Sequence, residues 1–333
     1  MSPSANAHVG IDAIAYWLPP TTLTLDQLHA AGKLTGSPET LASFGFAQAR
    51  VADGESHVDM AVHAVRTLLD ETRIDPESVD LVLYAGALTS SSTMACAPGP
   101  DGAVLHMTDV MQFFQYPVSR VQSEFDLTRA AVAGVDQQGC ASIFSALRLG
   151  RAMLLAEDDL RTVLCVSADR LPPHVPRELV YNVISDGACA ALLRRGGAGG
   201  RVMNRIVACG QVTKGAFWDA GSLENEMIAA YFPTARAVML ETVRKAGLTL
   251  DDIRWIIPHN VSLRSWEILL GLLGVPRERL FADNIARIGH TIASDNLVNL
   301  RDAADAGLVR PGDYLLLFTF GYGLNWSCMV VEH

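Results

Sequence analysis

A strand–turn–helix–strand pattern occupies residues 130–169, AAVAGVDQQGCASIFSALRLGRAMLLAEDDLRTVLCVSAD. The segment 130–137 is rich in alanine and valine and predicts a strand, and 140–158 predicts a long helix with an apolar face. The run 161–169 is apolar again and predicts a second, buried strand. A strand, a helix and a strand in this order are typical of α/β proteins, in which helices cover the faces of a sheet.

The same alternation extends in both directions along the chain. Before the central pattern, strands are predicted at 8–18 and 79–88, with helices at 58–74 and 119–127. After GGAGG at 196–200 the order begins again, with strands and helices predicted at 204–215, 224–248 (with a kink or boundary at Pro233), 253–259, 262–274, 292–308 and 314–333. The chain is therefore predicted to consist of two related halves, 1–195 and 196–333, with a long loop at 90–112.

Composition excludes several classes of protein. The chain has 333 residues, of which 50% are hydrophobic and 19% charged, so it can bury a large core. Its net charge of -10, without a lysine or arginine run, disfavours nucleic acid as a partner. No apolar run reaches the roughly 18 residues of a membrane span, and the first residues do not have the pattern of a secretory signal. We therefore expect a cytoplasmic protein without a membrane segment.

The number and spacing of the six cysteines exclude several kinds of site. They are too few for a disulfide scaffold, and no pair has the C-x-x-C spacing of zinc and redox motifs. No metal site is predicted. Four of them lie in apolar runs and are expected to be buried free thiols, namely Cys165, Cys189, Cys209 and Cys328.

Cys140 has a different setting, because it lies in Gly139-Cys140-Ala141-Ser142 between a predicted strand and the start of a predicted helix. The unpaired N–H groups and the positive dipole end of a helix start favour a thiolate. Small neighbouring residues leave room for an acyl group. A cysteine that only packs in the core is the competing interpretation, and the local sequence leaves both open.

Two histidines follow predicted strands or turns in the second half. His259 comes directly after Pro258 at the end of a strand, where ligand and catalytic residues gather in α/β sheets. His290 follows Gly289, and Asp295 lies at the next helix start. A surface position for each histidine, and a simple first-turn role for Asp295, are the alternatives.

A tight turn is predicted at Gly321-Tyr322-Gly323, between two apolar strands. Its N–H groups suit an oxyanion, although an ordinary hairpin turn has the same pattern.

The order of these motifs resembles the ketoacyl synthase III group of the thiolase superfamily. The pattern consists of Cys140 at a helix start, Ser-Asp-Gly at 185–187, Pro-His at 258–259, Gly-His-Thr at 289–291 and Gly-x-Gly at 321–323. The resemblance extends over nearly the whole chain. It implies an α/β, thiolase-like, five-layered αβαβα fold built from two related halves, and a homodimer.

The resemblance also implies roles for individual residues. Cys140 matches the acylated nucleophile, and His259 matches the catalytic histidine, which would promote thiolate formation. The backbone N–H groups of Cys140 and Tyr322 would form the oxyanion hole. Arg264 matches an arginine that helps to bind phosphopantetheine or a carrier protein, and Ser262 at the start of the same helix is assigned to donor binding with it.

Three departures from the family pattern affect the predicted reaction. His290 stands where the family has the asparagine that holds a malonyl carbonyl during decarboxylation. Tyr322 replaces the central glycine of a Gly-Gly-Gly turn, and Glu39 and Ser43 stand where the family has a tryptophan and an arginine that clamp coenzyme A. Members with an altered triad include enzymes that transfer an acyl group to oxygen, nitrogen or sulfur.

The predicted function is therefore an acyltransferase of specialised, polyketide- or antibiotic-type metabolism. Its donor would be an acyl-coenzyme A or an acyl carrier protein, its intermediate an acyl-Cys140 thioester, and it would need no cofactor. His290 would orient His259 or act as the base on a small-molecule acceptor, and Asp295 would fix the tautomer of either histidine.

Two alternatives remain. One is a decarboxylative, Claisen-condensing 3-oxoacyl-carrier-protein synthase III. The other is a non-catalytic subunit of a heterodimer, against which the presence of both Cys140 and His259 argues.

Overall fold

Thirteen strands and nine α-helices lie in the part of the chain that a computed structural model describes, residues 8–88, 111, 114–196, 202–219 and 221–333. The strands are β1 His8–Trp17, β2 Thr22–Thr24, β3 Gln48–Arg50, β4 Leu81–Ala85, β5 Ala131–Val135, β6 Thr162–Asp169, β7 Glu178–Leu179, β8 Asn182–Val183, β9 Gly187–Gly196, β10 Arg205–Thr213, β11 Ile253–Ile257, β12 Tyr314–Gly321 and β13 Asn325–Glu332. The helices are α1 Leu25–Ala30, α2 Pro38–Ser43, α3 His57–Thr72, α4 Pro117–Glu124, α5 Ser142–Ala156, α6 Glu224–Lys245, α7 Leu263–Leu273, α8 Asp283–Ile288 and α9 Asp295–Asp305.

Nine strands form one mixed sheet in the order β11-β12-β13-β10-β1-β9-β6-β4-β5. On the N-terminal side, β4 pairs in parallel with β5 and β6, and β6, β9 and β1 follow in antiparallel pairs. On the C-terminal side, β11 pairs in parallel with β12, and β12, β13 and β10 follow in antiparallel pairs. A parallel bridge from Ile256 to Leu280 occupies the place that β5 has in the first half. The two halves therefore repeat one topology.

Three buried cores separate the layers. The central core joins residues of α5 and α9 to inward-facing residues of both halves of the sheet. One outer core lies between α3, α4 and the N-terminal strands, and the other lies between α6, α7, α8 and the C-terminal strands. This order of helix, sheet, helix, sheet and helix confirms the predicted α/β, five-layered architecture with two related halves. The predicted division at residue 195 falls at the end of β9 and stays a prediction.

The central helix α5 positions the segment that contains Cys140. It buries Ile143, Phe144, Leu147 and Leu154 against the strands. Gly150 allows the closest approach, because a Cβ there would lie 2.8 Å from a side-chain atom of Leu193. Gly139–Ala156 is long and apolar enough to cross a membrane by composition, but here it is a core helix between the two halves of the sheet.

Helix α9 is buried over six consecutive residues at its start, Asp295, Asn296, Leu297, Val298, Asn299 and Leu300. Buried polar side chains need hydrogen-bond partners, so a helix of this kind holds neighbouring segments in fixed positions. Its N-terminus lies where the carboxyl ends of β11 and β12 meet, and the candidate site is at that junction.

Two details differ from the sequence predictions. Helix α6 continues through Pro233, so this proline is neither a boundary nor the end of the helix. Cys165, Cys189 and Cys328 are buried as expected, whereas Cys209 is half-buried. The predicted loop at 90–112 lies, except for Met111, outside the described residues.

Candidate active site

Cys140 lies in a short 3-10 turn, Gly139–Ala141, between β5 and α5. The sequence pattern predicted Cys140 as the first residue of the helix, whereas the helix starts two residues later, at Ser142. The left-handed backbone of Gly139 (φ +53°) and a 3.1 Å hydrogen bond from the N–H of Ala141 to the carbonyl of Gln138 close this tighter turn. Cys140 is half-buried and remains at the N-terminal end of α5.

The thiol of Cys140 is paired with His290. Its Sγ lies 3.3 Å from Nε2 of His290, and Nδ1 of the same ring lies 2.5 Å from Oδ2 of Asp295. The thiol, the imidazole and the carboxylate thus form one continuous hydrogen-bonded chain. A carboxylate on Nδ1 fixes the tautomer of the ring, so that Nε2 is the nitrogen that exchanges a proton with its partner. Of the two histidines that the sequence analysis considered for Asp295, the structure brings it to His290.

Asp295 is fully buried, and both of its oxygens are occupied. Oδ1 accepts the N–H and the hydroxyl of Thr291 at 2.6 and 2.7 Å, and Oδ2 also accepts the N–H of Asn260 at 2.6 Å. Burial by itself would raise the pKa of Asp295, but the His290 imidazolium and these donors outweigh it and hold that pKa below its usual value. The carboxylate is therefore ionised and fixed in place.

His290 is charged in the free enzyme for the complementary reason. Burial opposes its protonation, but the Asp295 carboxylate and the Cys140 thiolate outweigh burial and raise the pKa of His290 well above its usual value. The imidazolium lies between the Asp295 carboxylate and the Cys140 sulfur, and a cation beside a thiol favours its ionised form.

His259 lines the same cavity but does not make the contact with Cys140 that the sequence analysis assigned to it. It is fully buried, and its ring centroid is 6.2 Å from that of His290. Within the described residues, neither of its ring nitrogens has a hydrogen-bond partner. Burial, and after it the charge of His290, lower the pKa of His259 to about 3, so this ring is neutral. The partner of the thiol is therefore His290, and His259 is a neutral, unpaired group beside it.

Two buried asparagines that the sequence analysis did not single out hold His259 in position. Asn296 donates to the carbonyl oxygens of the last residue of β11 and of Phe318, at 2.9 Å each, and Asn299 donates to that of Pro258 at 2.8 Å. The N–H of His259 in turn donates to the carbonyl of Phe318 at 3.2 Å. The available signal was a pair of amides three residues apart, on the face of the helix that also carries its apolar residues.

The main chain around His290 is held as firmly. Its N–H donates to the carbonyl of Val183 at 2.9 Å, and its carbonyl accepts the N–H of Ser185 at 2.8 Å. Two residues later, Ile292 has φ +60°, a left-handed conformation that β-branched residues rarely adopt. The bonds from Thr291 to Asp295 span this turn. Strain of this kind persists where surrounding bonds fix it, as at active sites.

The two turns that the sequence analysis assigned to an oxyanion hole are in contact. A Cβ on Gly139 would lie 2.7 Å from the backbone nitrogen of Tyr322, and a Cβ on Gly321 would lie 2.8 Å from that of Cys140. The hydroxyl of Thr319 donates to the carbonyl of Cys140 at 3.2 Å and ties the turns together. The N–H groups of Cys140 and Tyr322 thus belong to adjacent turns, and their action on an oxyanion stays a prediction.

A cavity of about 130 Å³ opens beside these residues. Its walls are mostly apolar and come from α6, the β7–β8 hairpin and the end of β12. It is lined by Cys140, Leu179, Val180, Asn182, Ile184, Met227, Ile228, Tyr231, Phe232, His259, Val261, Ser265, His290, Phe320 and Tyr322. It can therefore hold a small acyl group next to the thiol.

The sequence and fold were compared with those of known proteins. Residues 243–333 match the family model of the 3-oxoacyl-[acyl-carrier-protein] synthase III C-terminal domain. The β-ketoacyl-[acyl-carrier-protein] synthase III of Aquifex aeolicus is 24% identical over 300 residues, covering 87% of this chain and 88% of that protein. The crystal structure of 3-oxoacyl-[acyl-carrier-protein] synthase III from Aquifex aeolicus superposes with a TM-score of 0.79 at 21% identity, covering 98% of this chain and all of that one. The C-terminal part of the chain therefore matches the ketoacyl synthase III family model, and the whole chain is ketoacyl synthase III-like in sequence and fold.

A second structure with the same fold differs in its described activity. ChlB3, described as an acyltransferase, superposes on this ketoacyl synthase III-like chain with a TM-score of 0.79 at 24% identity, covering 98% of this chain and 97% of its own. At this identity the likeness concerns the fold.

The predicted donor-binding residues of the ketoacyl synthase III-like protein lie near the cavity but do not line it. Arg264 is exposed on the first turn of α7, and its guanidinium is 3.4 Å from the carboxylate of Glu267. Ser262 is buried, with its N–H donating to Oδ1 of Asn182 at 2.8 Å, whereas Ser265 lines the cavity. Donor binding by Arg264 and Ser262 stays a prediction.

The other departures from the family pattern are also located. Tyr322 forms part of the cavity wall, so the side chain that replaces a glycine reduces the space beside Cys140. Glu39 and Ser43 are exposed on α2. Weaker binding of coenzyme A through this exposed carboxylate, in place of the family's clamp, stays a prediction.

A larger cavity of about 500 Å³ lies at the β5 edge of the sheet. Its described lining includes His57, Asp136, Asp169 and Arg170, but neither Cys140, His259 nor His290. Size alone would favour it, but the chemistry required for acyl transfer is in the smaller cavity, where we place the candidate site.

Replacing Gly321 with alanine is expected to damage this site without removing any functional side chain. The added Cβ would lie 2.0 Å from the carbonyl oxygen of Gln138, so the two turns must separate. We expect roughly 10²-fold slower acylation, the usual effect of losing one oxyanion donor, and a loss of about 1–3 kcal/mol of stability. Gly215→Ala is the control, because nothing lies within 4 Å of its Cβ. Rates of acyl loading and melting curves of both variants are the measurements, and wild-type loading by Gly321→Ala would contradict the assigned contact.

Proposed function

We propose that this ketoacyl synthase III-like protein is an acyltransferase that loads an acyl group onto Cys140 and passes it to an oxygen, nitrogen or sulfur acceptor without decarboxylation. The observation that carries the proposal is the hydrogen-bonded chain from the Cys140 thiol through His290 to Asp295. A nucleophile, a base and a group that orients the base are the parts that two-step acyl transfer requires.

In the first step the Cys140 thiolate attacks the thioester carbonyl of the donor. The bond from the carbonyl carbon to the donor sulfur breaks, and the departing thiolate takes the proton from Nε2 of His290. The N–H groups of Cys140 and Tyr322 stabilise the oxyanion of the intermediate. The products are the acyl-Cys140 thioester and a neutral His290, which is now ready to act as a base.

In the second step the acceptor loses its proton to Nε2 of His290 while it attacks the acyl carbonyl. The bond to the Cys140 sulfur breaks, and the sulfur recovers the thiolate state with the proton on His290. Asp295 stabilises the imidazolium that forms, from the opposite side of the ring. An asparagine amide at position 290 could not take up a proton near neutral pH, so the histidine supplies the base that transfer requires.

Decarboxylative condensation is the second candidate, and the curated relatives favour it, because their described activity is that of β-ketoacyl-[acyl-carrier-protein] synthases. That reaction needs donors directed at a developing enolate oxygen. Here His290 is engaged with the thiol through Nε2 and with Asp295 through Nδ1. The acyltransferase description of ChlB3 supports the first candidate.

The swap His290→Asn distinguishes these two reactions. We expect it to slow acyl transfer from the preloaded enzyme by roughly 10²-fold or more, because the general base is lost, and to permit slow release of carbon dioxide from malonyl donors. Acyl-enzyme mass and released carbon dioxide are measured for wild type, the variant and the control His174→Asn, whose side chain is exposed. Carbon dioxide release by the wild type, together with intact transfer in the variant, would leave condensation as the function.

The donor class and the assembly are part of the same proposal. An acyl carrier protein thioester is the donor that the names of the relatives suggest, a coenzyme A thioester is the alternative donor, and no cofactor is required. A homodimer is supported by β5, which pairs with one other strand among the described residues and whose own residues 131–134 are exposed. An exposed apolar edge of this kind is commonly covered by another chain. We also propose a cytoplasmic location.

A further inference from the structure

We propose that the acceptor of the acyl group is a neutral hydroxyl on an apolar body, rather than an ammonium or a thiol. This inference rests on the acyltransferase function proposed above and narrows the class of its acceptor. It follows from three properties of the cavity: the charge of its walls, the number of bases in it and the unpaired nitrogens of His259.

The walls offer no counter-ion to a cationic acceptor. No Asp, Glu, Lys or Arg is among the fifteen described residues that line the cavity, and ten of the fifteen are aliphatic, aromatic or methionine side chains. In the hydrogen-bonded chain from Cys140 through His290, the carboxylate of Asp295 is fully buried behind His290. Both of its oxygens already accept hydrogen bonds from the protein. An ammonium that enters would lose its hydration without a partner, which is costly, whereas a hydroxyl would not.

The number of bases that line the cavity also favours a hydroxyl acceptor. A hydroxyl has one proton to lose on attack, and His290 accepts one. An alkylammonium must lose one proton before attack and a second during it. The described lining contains one other titratable nitrogen base, His259, whose pKa near 3 leaves it unable to take the second proton. Protonation of His290 by an ammonium would therefore leave the acyl-enzyme without a base.

His259 supplies the hydrogen bond that recognises the acceptor. It is fully buried, it lines the cavity, and both of its ring nitrogens lack partners among the described residues. Its N–H can donate to a lone pair of the acceptor oxygen while the O–H proton moves to Nε2 of His290. Sulfur is a weak acceptor, so a thiol would leave His259 unpaired.

The step balances as an ordinary transesterification. The acceptor oxygen attacks the carbonyl carbon of acyl-Cys140, and a carbon–oxygen bond forms as the carbon–sulfur bond breaks. The hydroxyl proton passes to Nε2 of His290, and the sulfur of Cys140 leaves as the thiolate beside the imidazolium. The products are an ester and the starting form of the enzyme.

The test compares three acceptors of the same small size on a preloaded enzyme. Because the cavity is small, about 130 Å³, four-carbon probes are suitable. The full-length enzyme is loaded with S-acetyl-N-acetylcysteamine, desalted and mixed near neutral pH with equal concentrations of 1-butanol, n-butylamine or 1-butanethiol. Loss of the acetyl mass and formation of butyl acetate, N-butylacetamide or the butyl thioester are measured, against discharge in buffer alone.

We expect discharge by butanol to exceed discharge by butylamine at least about tenfold, since an unpaired buried charge costs well over 1.4 kcal/mol. Discharge by butylamine or butanethiol at or above the rate with butanol would overturn the inference, as would a butanol rate no higher than the rate in buffer. Failure of the enzyme to load any acyl group would instead contradict the proposed function, so the two failures are distinguishable.

Two variants test the physical reasons. Ser265→Asp adds a carboxylate to the cavity wall and is expected to raise the butylamine-to-butanol ratio roughly tenfold, whereas the matched Ser265→Asn, which adds no charge, is not. His259→Leu is expected to reduce discharge by butanol by roughly 10–100-fold, and by more than it reduces loading, because the hydrogen bond to the acceptor is lost. An unchanged acceptor ratio in Ser265→Asp, or equal effects of His259→Leu on loading and discharge, would count against the inference.

Discussion

Replacing Cys140 with alanine is expected to abolish acyl loading while the protein remains folded. The variant removes the sulfur on which the thioester is proposed to form, so the loading rate should fall below about one-thousandth of that of wild type. The fold should survive, because Cys140 is half-buried and its thiol has one hydrogen bond, to His290. The measurement is intact-protein and peptide mass spectrometry after incubation with an acyl thioester, together with a melting curve.

The control for this variant is Cys209→Ala, because Cys209 is also half-buried and burial raises the pKa of its thiol. It should load like wild type. Cys140→Ser should load slowly, since a hydroxyl is a weaker nucleophile that needs a stronger base. Full loading of Cys140→Ala, or an acyl group found on another peptide of the wild type, would show that Cys140 is not the nucleophile.

Replacing Asp295 with asparagine is expected to have the second largest effect, a fall of roughly 10²–10⁴-fold in the acylation rate near neutral pH. The carboxylate fixes the tautomer of His290 and holds its proton. An amide in its place donates where a carboxylate accepts, and it favours the tautomer with the proton on Nε2. The N–H of Asn260 now meets either the amide oxygen of the new asparagine, a weaker acceptor, or its NH2 group, which is a donor. We therefore expect the variant to lose about 1–3 kcal/mol of stability.

The pKa of His290 determines the direction in which the pH–rate profile of acylation should move in this variant. In the wild type the pKa of His290 is raised well above its usual value, so the imidazolium persists until the pH rises through that pKa. Without the Asp295 charge the pKa of His290 falls, and the imidazolium is lost at a lower pH. The alkaline limb of the pH–rate profile should therefore move to lower pH in Asp295→Asn.

Asp283→Asn is the matched control, since Asp283 also lies in the first turn of a helix but is exposed. Single-turnover acylation rates from mildly acidic to alkaline pH are the measurement. A profile of Asp295→Asn that coincides with that of wild type would remove Asp295 from the mechanism, whatever its effect on stability.

The fold could be predicted from the sequence to a large extent because its signals are local. The alternation of strands with amphipathic helices is repeated in both halves, and each half supplies the same order of elements. The segment 130–169 contains a helix, α5, whose apolar residues pack in the central core between the two halves of the sheet. The motifs around Cys140, His259, His290 and Tyr322 stand at the ends of strands and helices, and all four residues line one cavity.

The partners of these residues could not be predicted, because they depend on distances between segments far apart in the chain. Cys140 and His290 are 150 positions apart, and which of the two histidines meets the thiol depends on how α9 and the turn at Ile292 direct the rings. His290 and Asp295 are five positions apart in the sequence, which allows a contact between them but does not require one. Burial of Asp295 accounts for its hydrogen bond to His290, because a carboxylate shielded from solvent needs hydrogen-bond partners from the protein.

By itself, then, the sequence determined the α/β order and the repetition of the halves, since hydrophobic periodicity and turn residues act over a few positions. The set of residues that meet at the site was implied by the resemblance to the ketoacyl synthase III group. Only the tertiary structure decided that His290 contacts the thiol, that His259 remains neutral with its nitrogens unpaired, and that Arg264 is exposed outside the cavity wall. The physical reason is that protonation and hydrogen bonding depend on burial and on charges within a few ångströms, and packing between distant segments sets both.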